Sequence, residues 1–229
     1  MRIAILQSNY IPWKGYFDLI RAVDEFVLFD DVQYTRRDWR NRNRIKTRSG
    51  PAWLTIPVNV SGQFHAPIKT ITTSDPSWAR RHWNSLVASY RRAPHFERYA
   101  DRLSSLYVEC GREEHLSTIN FKWISAICEI LGIGTKLSWS MAYVMAEGKT
   151  ERLVGICEQA GADTYVSGRA ARAYIDPSAF AAKGIALTYF DYSGYPEYAQ
   201  LYPPFDHHVS VLDLLFNVGP DASRYMLAR

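Results

Sequence analysis

At 229 residues and 26.3 kDa, the chain is long enough to bury one large core or two small ones. Its hydrophobic fraction of 47% and charged fraction of 22% exclude a disordered chain, a collagen-like repeat and a low-complexity array. The net charge of +4 is unevenly placed: positions 33–48 hold seven basic residues against Asp38 alone, or +6, so the remainder sums to −2. A local basic feature on a near-neutral protein points to an anionic partner bound at one place.

No stretch approaches the roughly 18 consecutive apolar residues of a membrane span, so no membrane partner is expected. Met1-Arg2-Ile3-Ala4-Ile5-Leu6 opens directly on a strand-like run, without signal-peptide anatomy. Cys110, Cys128 and Cys157 lack C-x-x-C spacing, and their odd number argues against a disulfide framework. The expected location is the reducing cytoplasm.

In chain order, 3–6 is a short apolar run typical of a buried strand, followed by the loop 7–12. Tyr16, Leu19, Ile20 and Val23 recur at helical spacing, and 25–29 is a second buried strand ending in Asp30-Asp31. Strand, loop, helix and strand within thirty residues form a βαβ unit, which demands a parallel sheet covered by helices. Two strands are expected over 52–58 and 67–72, with a turn at Gly62 between them. Helices follow over 77–92, 96–109 and 115–131, then a helix over 150–159, strands over 164–168 and 185–190, and a last helix over 209–216. The reading is α/β: a Rossmann-like parallel sheet flanked by helices, forming a single domain over 1–229 with a largely helical insertion near 75–135.

Ligands of such sheets bind beyond the carboxyl ends of the strands, where both 7–10 and 30–34 lie. The first loop, Gln7-Ser8-Asn9-Tyr10-Ile11-Pro12, leads into a helix whose free N–H groups favour an anion; equally, it is a well-capped turn whose aromatics pack on the sheet. Asp30 and Asp31 are costly to bury unpaired, and the nearby arginines are their natural partners. One of them either meets a ribose, an amine or a metal, or the pair is divided between a cap and a salt bridge to Arg37 or Arg42. Arginines at 40, 42 and 44 share one face of a strand, and those at 36, 40 and 44 one face of a helix. With Tyr34 and Trp39 beside them they suit a phosphate and a stacked ring, although a solvated basic face is the plainer alternative. Ser167-Gly168-Arg169 is a short turn after a strand, and Asp206-His207-His208 lacks further ligands at metal-binding spacing. Asp213 and Asn217, four residues apart on the last helix, either face a cleft or cap and solvate that helix.

Several segments in their order resemble the WbqC-like proteins of bacterial polysaccharide and natural-product gene clusters. They are 7–17 (QSNYIPWKGYF); Asp30-Asp31-Val32-Gln33-Tyr34 running into Trp39-Arg40-Asn41-Arg42-Asn43-Arg44-Ile45; and Lys149-Thr150-Glu151-Arg152-Leu153. Tyr165-Val166-Ser167-Gly168 and 210–217 (SVLDLLFN) match as well, so the resemblance covers essentially the whole chain. It implies a transferase that decorates amino sugars or other amines with acyl or aminoacyl groups. More distantly, the start is similar to the nucleotide-binding fold of class I aminoacyl-tRNA synthetases and cytidylyltransferases. Their His-x-Gly-His motif corresponds here to Trp13-Lys14-Gly15-Tyr16, in which both histidines are missing. Without them the main electrostatic device for adenylate formation is gone.

The expected activity is amide formation on a small-molecule amine, an amino sugar or natural-product intermediate, from a phosphate-containing activated donor. That donor is a phosphopantetheine thioester on an acyl carrier protein, a nucleotide, or an aminoacyl-tRNA. The alternatives are an ATP-dependent ligase or nucleotidyltransferase, and a tRNA or other nucleic-acid-binding module. Asp30, Asp31 and Tyr34 are the expected catalytic residues. Gln7, Asn9, Tyr10, Tyr16, Gln33, Arg37, Asn41, Arg42, Arg44, Ser167 and Asp213 are the expected substrate contacts. No tightly bound cofactor or metal is expected. The shared requirement is that the carboxylates, the arginines and the first loop converge on one cavity.

Overall fold

The computed structural model describes residues 1–62 and 65–227. In chain order the elements are β1 (Arg2–Leu6), α1 (Lys14–Arg21), β2 (Glu25–Leu28), β3 (Arg42–Thr47), β4 (Gly50–Thr55), α2 (Trp78–Tyr90), α3 (Phe96–Cys110) and α4 (Leu116–Ile130). There follow β5 (Lys136–Trp139), α5 (Lys149–Ala160), β6 (Thr164–Gly168), α6 (Pro177–Ala181), β7 (Ala186–Phe190) and α7 (Val211–Val218).

Five strands form a parallel sheet in the order β5-β2-β1-β6-β7. Alternation along each strand sends side chains to opposite faces, so every central strand supplies two cores. Ala4, Phe26, Leu28 and Val166 join one core with α1, α2, α3, α4 and α7; Ile3, Ile5, Val27, Phe29 and Tyr165 join the other with α5 and α6. The chain builds outward from β1 to β2 and later from β6 to β7, in opposite directions. Right-handed crossovers then place α1 and α6 on opposite faces, and the direction reverses between β1 and β6. Such a reversal leaves a crevice at the carboxyl ends of those two strands.

The α/β reading is therefore correct, with several local departures. β5 was not expected; it is short and amphipathic at the sheet edge, and its Lys136 pairs with buried Glu25 of β2 at 3.0 Å. The segment 67–72 is not a strand but a single 3-10 turn, Ile68–Thr70. Its backbone bonds to the loop after β2, Ile68 N–H to Val32 O at 3.0 Å and Lys69 N–H to Asp30 O at 3.0 Å, so it has no ladder to join. β4 pairs instead with β3, antiparallel, through a tight turn at 47–50. Arg42, Arg44 and Lys46 of the basic run thus lie on one strand of a separate two-stranded ribbon, with Arg36, Arg37 and Arg40 in the loop before it and Arg48 in its turn; no strand was expected there. The expected helices over 77–92, 96–109 and 115–131 correspond to α2, α3 and α4, which pack through Leu86, Leu103, Tyr107 and Trp123 into the same core as α1.

Candidate functional site

The carboxyl ends of β1, β2 and β6 open into a cavity of about 720 Å³. Gln7 leaves β1 into it, Asp31 and Gln33 follow β2, and Ser167 and Gly168 close β6. Lys149 and Arg152, from the first turn of α5, stand on its rim with His65 and Tyr174. Gly148 precedes that helix at φ 92°, and no side chain caps it. Its leading N–H groups, its dipole and two cations together make one end of the crevice attractive to an anion.

The opposite character comes from Asp31. Its carboxylate is ion-paired with Lys69 and accepts a hydrogen bond from the Ser140 hydroxyl at 2.6 Å. Both partners lie outside the basic run, so the expected pairing with Arg37 or Arg42 does not occur. Asp31 remains on the cavity wall. Its neighbour Asp30 points the other way and is fully buried, accepting from the Ser8 N–H at 2.9 Å and from the Ser117 hydroxyl. Burial raises its pKa against those two donors and the nearby Arg40. Asn120 extends this network by donating to Ser8 Oγ at 3.0 Å and to the Arg40 carbonyl at 2.9 Å. Asp30 thus ties the ends of β1 and β2 to α4 and does not line the crevice.

The other expected contacts divide. Gln7, Gln33 and Ser167 line the crevice. Tyr16 is buried beneath it, its ring against Phe26 and its hydroxyl donating to the Gln7 carbonyl at 3.0 Å, so it shapes the loop from below. Tyr34 is buried at the loop after β2, with its N–H on the Ala66 carbonyl at 2.9 Å. Tyr10 is fully buried in the main core, its hydroxyl within 2.9 Å of both His82 and Tyr107. Asp213 is likewise enclosed: the Tyr90 and Tyr198 hydroxyls and the Gln200 amide donate to it at 2.8, 2.7 and 2.9 Å. Burial raises its carboxyl pKa despite those donors, and it faces no cleft. Asn41 is buried and donates to the Ile56 carbonyl at 2.8 Å.

The arginines do not converge with the carboxylates. The ribbon pairs within itself, so alternation puts Asn43, Ile45 and Leu54 inside and Arg42, Arg44 and Trp53 outside. Arg42 donates to the Arg37 carbonyl and lies 4.1 Å from the Trp53 ring centroid. Arg44 donates to the His208 carbonyl at 3.0 Å and approaches Asp206 at 3.9 Å. Exposed Arg37 has φ 58°, a left-handed bend before the ribbon. Arg40 donates to Asn9 Oδ1, which turns Asn9 towards a second, smaller cavity of about 260 Å³ walled by Pro12, Trp13, Trp39, Asn43 and His208. None of the residues lining the crevice comes from the basic run 36–48.

A model of the WbqC-like protein family matches residues 7–225. The chain belongs to the WbqC-like protein family. It is 52% identical over 227 residues, 98% of this chain and 97% of the other, to Uncharacterized protein Rv1507c of Mycobacterium tuberculosis. No solved structure matches it. In this WbqC-like protein, no helix among the described residues is long and apolar enough to cross a membrane.

Sequence reasoning omitted Lys149, Arg152 and Tyr174 from the site. The signal was a pair of cations three residues apart, straight after a glycine at a helix start, but only the sheet order brings that helix to the β1–β6 crevice.

Proposed function

We infer that this WbqC-like protein is a transferase that moves an acyl or aminoacyl group from a phosphate-bearing donor to an amine, forming an amide. The observation that carries this reading is the pairing, in one crevice, of a cationic helix start with a carboxylate: Lys149, Arg152 and Asp31 all line it. Lys149, Arg152 and the first N–H groups of α5 hold the donor's phosphate. Gln7, Gln33 and Ser167 orient the polar parts of donor and acceptor. The neutral amine attacks the acyl carbonyl carbon; the new C–N bond forms and the donor's C–S or C–O bond breaks. Asp31 takes the proton the amine loses and returns it to the departing thiolate or alkoxide, or to solvent where the leaving group is a nucleotide phosphate, while Lys69 and Ser140 fix its orientation.

The test has a binding arm and a turnover arm. Acetyl-coenzyme A and aminoacyl-adenylate analogues are titrated calorimetrically into wild type and into K149A/R152A, where loss of two charge-assisted contacts should weaken binding at least about tenfold. Amide formation on glucosamine is then followed by mass spectrometry, and Asp31→Asn should lower the rate by about 10²-fold or more with an unchanged circular dichroism spectrum. Wild-type rates in Asp31→Asn would remove the proton-transfer role. Stoichiometric pyrophosphate release from ATP would replace the transferase with a ligase.

A further inference from the structure

The ribbon carries a feature that the crevice leaves unused. Trp39 and Trp53 are 40% and 46% exposed, with ring centroids 5.4 Å apart and planes inclined by 39°. Large aromatic rings displayed in pairs are the informative kind of exposed apolar surface, because burying them elsewhere would be favourable. Cations surround them. Arg44 is directly opposite Trp53 in the ladder, and the Arg42 guanidinium lies over the Trp53 ring. Trp39 also walls the 260 Å³ slot with Trp13, Pro12 and Asn43, a space with room for one planar ring. Arg44 reaches Asp206 only at 3.9 Å and Arg42 donates to a backbone carbonyl, so both guanidinium groups stand at the ring pair without a close carboxylate among the described residues.

We propose that the outer face of the β3–β4 ribbon binds single-stranded nucleic acid, with bases stacked on Trp39 and Trp53 and the backbone phosphates against the flanking arginines. Stacking platforms interleaved with guanidinium groups suit a ligand that alternates flat rings with negative charges. The strand must be single, since only unpaired bases present their faces to a protein ring. The slot beside Trp39 accepts one splayed base. The near-neutral remainder of the chain confines the contact to a few phosphates, so the footprint is short. This site is separate from the transferase crevice: neither tryptophan lines that cavity.

The experiment follows the fluorescence anisotropy of a labelled oligouridine of about eight nucleotides, a length within the usual single-domain footprint. Wild-type protein should bind it, with log affinity falling against log salt at a slope of about −2, as for roughly three phosphates on a single strand. W39A/W53A should lose about 30-fold or more, since each stacked base contributes about 1–3 kcal/mol. W39F/W53F, which keeps flat rings, should stay within a few-fold of wild type. Equal binding by W39A/W53A would overturn the proposal, as would inorganic polyphosphate competing charge for charge. Quenching of tryptophan fluorescence by free hexosamines, lost in W39A/W53A, with no oligouridine binding, would assign this face to a sugar instead and also overturn it. Donor titration of the crevice in W39A/W53A should match wild type, and K149A/R152A should keep its oligouridine affinity, so the two readings fail separately.

Discussion

Tyr10, His82 and Tyr107 show how far a polar residue in a functional-looking loop can be drawn into the core. His82 Nε2 lies 3.1 Å from the Thr55 carbonyl, which only accepts, so that nitrogen carries the proton. Nδ1 therefore accepts from the Tyr10 hydroxyl, and Tyr10 in turn accepts from Tyr107. Each donor in the chain has an acceptor, which is why three polar groups can sit among Trp78 and Trp123. Burial, helped by the neighbouring Arg81 charge but opposed by the Thr55 bond, lowers the His82 pKa to about 4. The folded form thus holds a neutral ring where the unfolded chain takes a proton at about 6.5. Stability should be undiminished above pH 6.5 and fall progressively as pH drops towards 4, by at most about 3 kcal/mol. Urea unfolding at pH 7 and pH 4.5 should show that loss, and His82→Gln should flatten most of it; an identical pH dependence in the variant would refute the neutral-ring account.

Among the elements, α5 is the one whose start matters most to the proposed chemistry. Gly148 lies at φ 92°, and a Cβ there would come within 2.0 Å of Glu151 Oε2. Glu151 is flexible and can yield, so the lasting cost of Gly148→Ala is the strain of placing a Cβ in a backbone region (φ 92°, ψ 157°) open almost only to glycine, about 1–3 kcal/mol. The expected outcome is a thermal midpoint lowered by a few degrees, with crevice affinity for acetyl-coenzyme A reduced more than stability predicts, because the first turn reorients. Unchanged donor binding alongside the lowered midpoint would separate the helix start from anion binding. The ribbon illustrates the opposite case: the spacing of Arg36, Arg40, Arg42 and Arg44 suited a helix face and a strand face equally, so neither β3 nor its partner was legible. Pro67 cannot donate to a ladder, and the N–H groups of Ile68 and Lys69 were claimed by the loop after β2, so β4 was left to pair with β3.

At the scale of the whole molecule, Asp30 joins three parts of the chain through Ser8, Ser117 and the Asn120 bridge to Arg40. Removing a buried acceptor leaves two donors, the Ser8 N–H and the Ser117 hydroxyl, without partners in a dry interior, so Asp30→Ala should cost about 2–4 kcal/mol in urea unfolding. A loss under about 0.5 kcal/mol, the range of ordinary surface substitutions, would mean that the network is not a fastening. The same network explains why adjacent aspartates have different surroundings. Successive residues leaving a strand point to opposite sides, so one carboxylate enters the core and the other reaches the crevice.

Periodicity, composition and motif order were enough to read an α/β chain, its helices over the middle third and the likeness to the WbqC-like family. These are local properties, carried by side-chain spacing and by residue types within a few turns of one another. Which charged groups meet is not local. The pairing of Asp31 with Lys69 and Ser140, the withdrawal of Tyr10 and Asp213 into the core, and the arrival of Lys149 and Arg152 at the β1–β6 crevice depend on strand order. That order depends on which backbone groups pair with which across the fold, a competition between distant segments that no window of sequence contains.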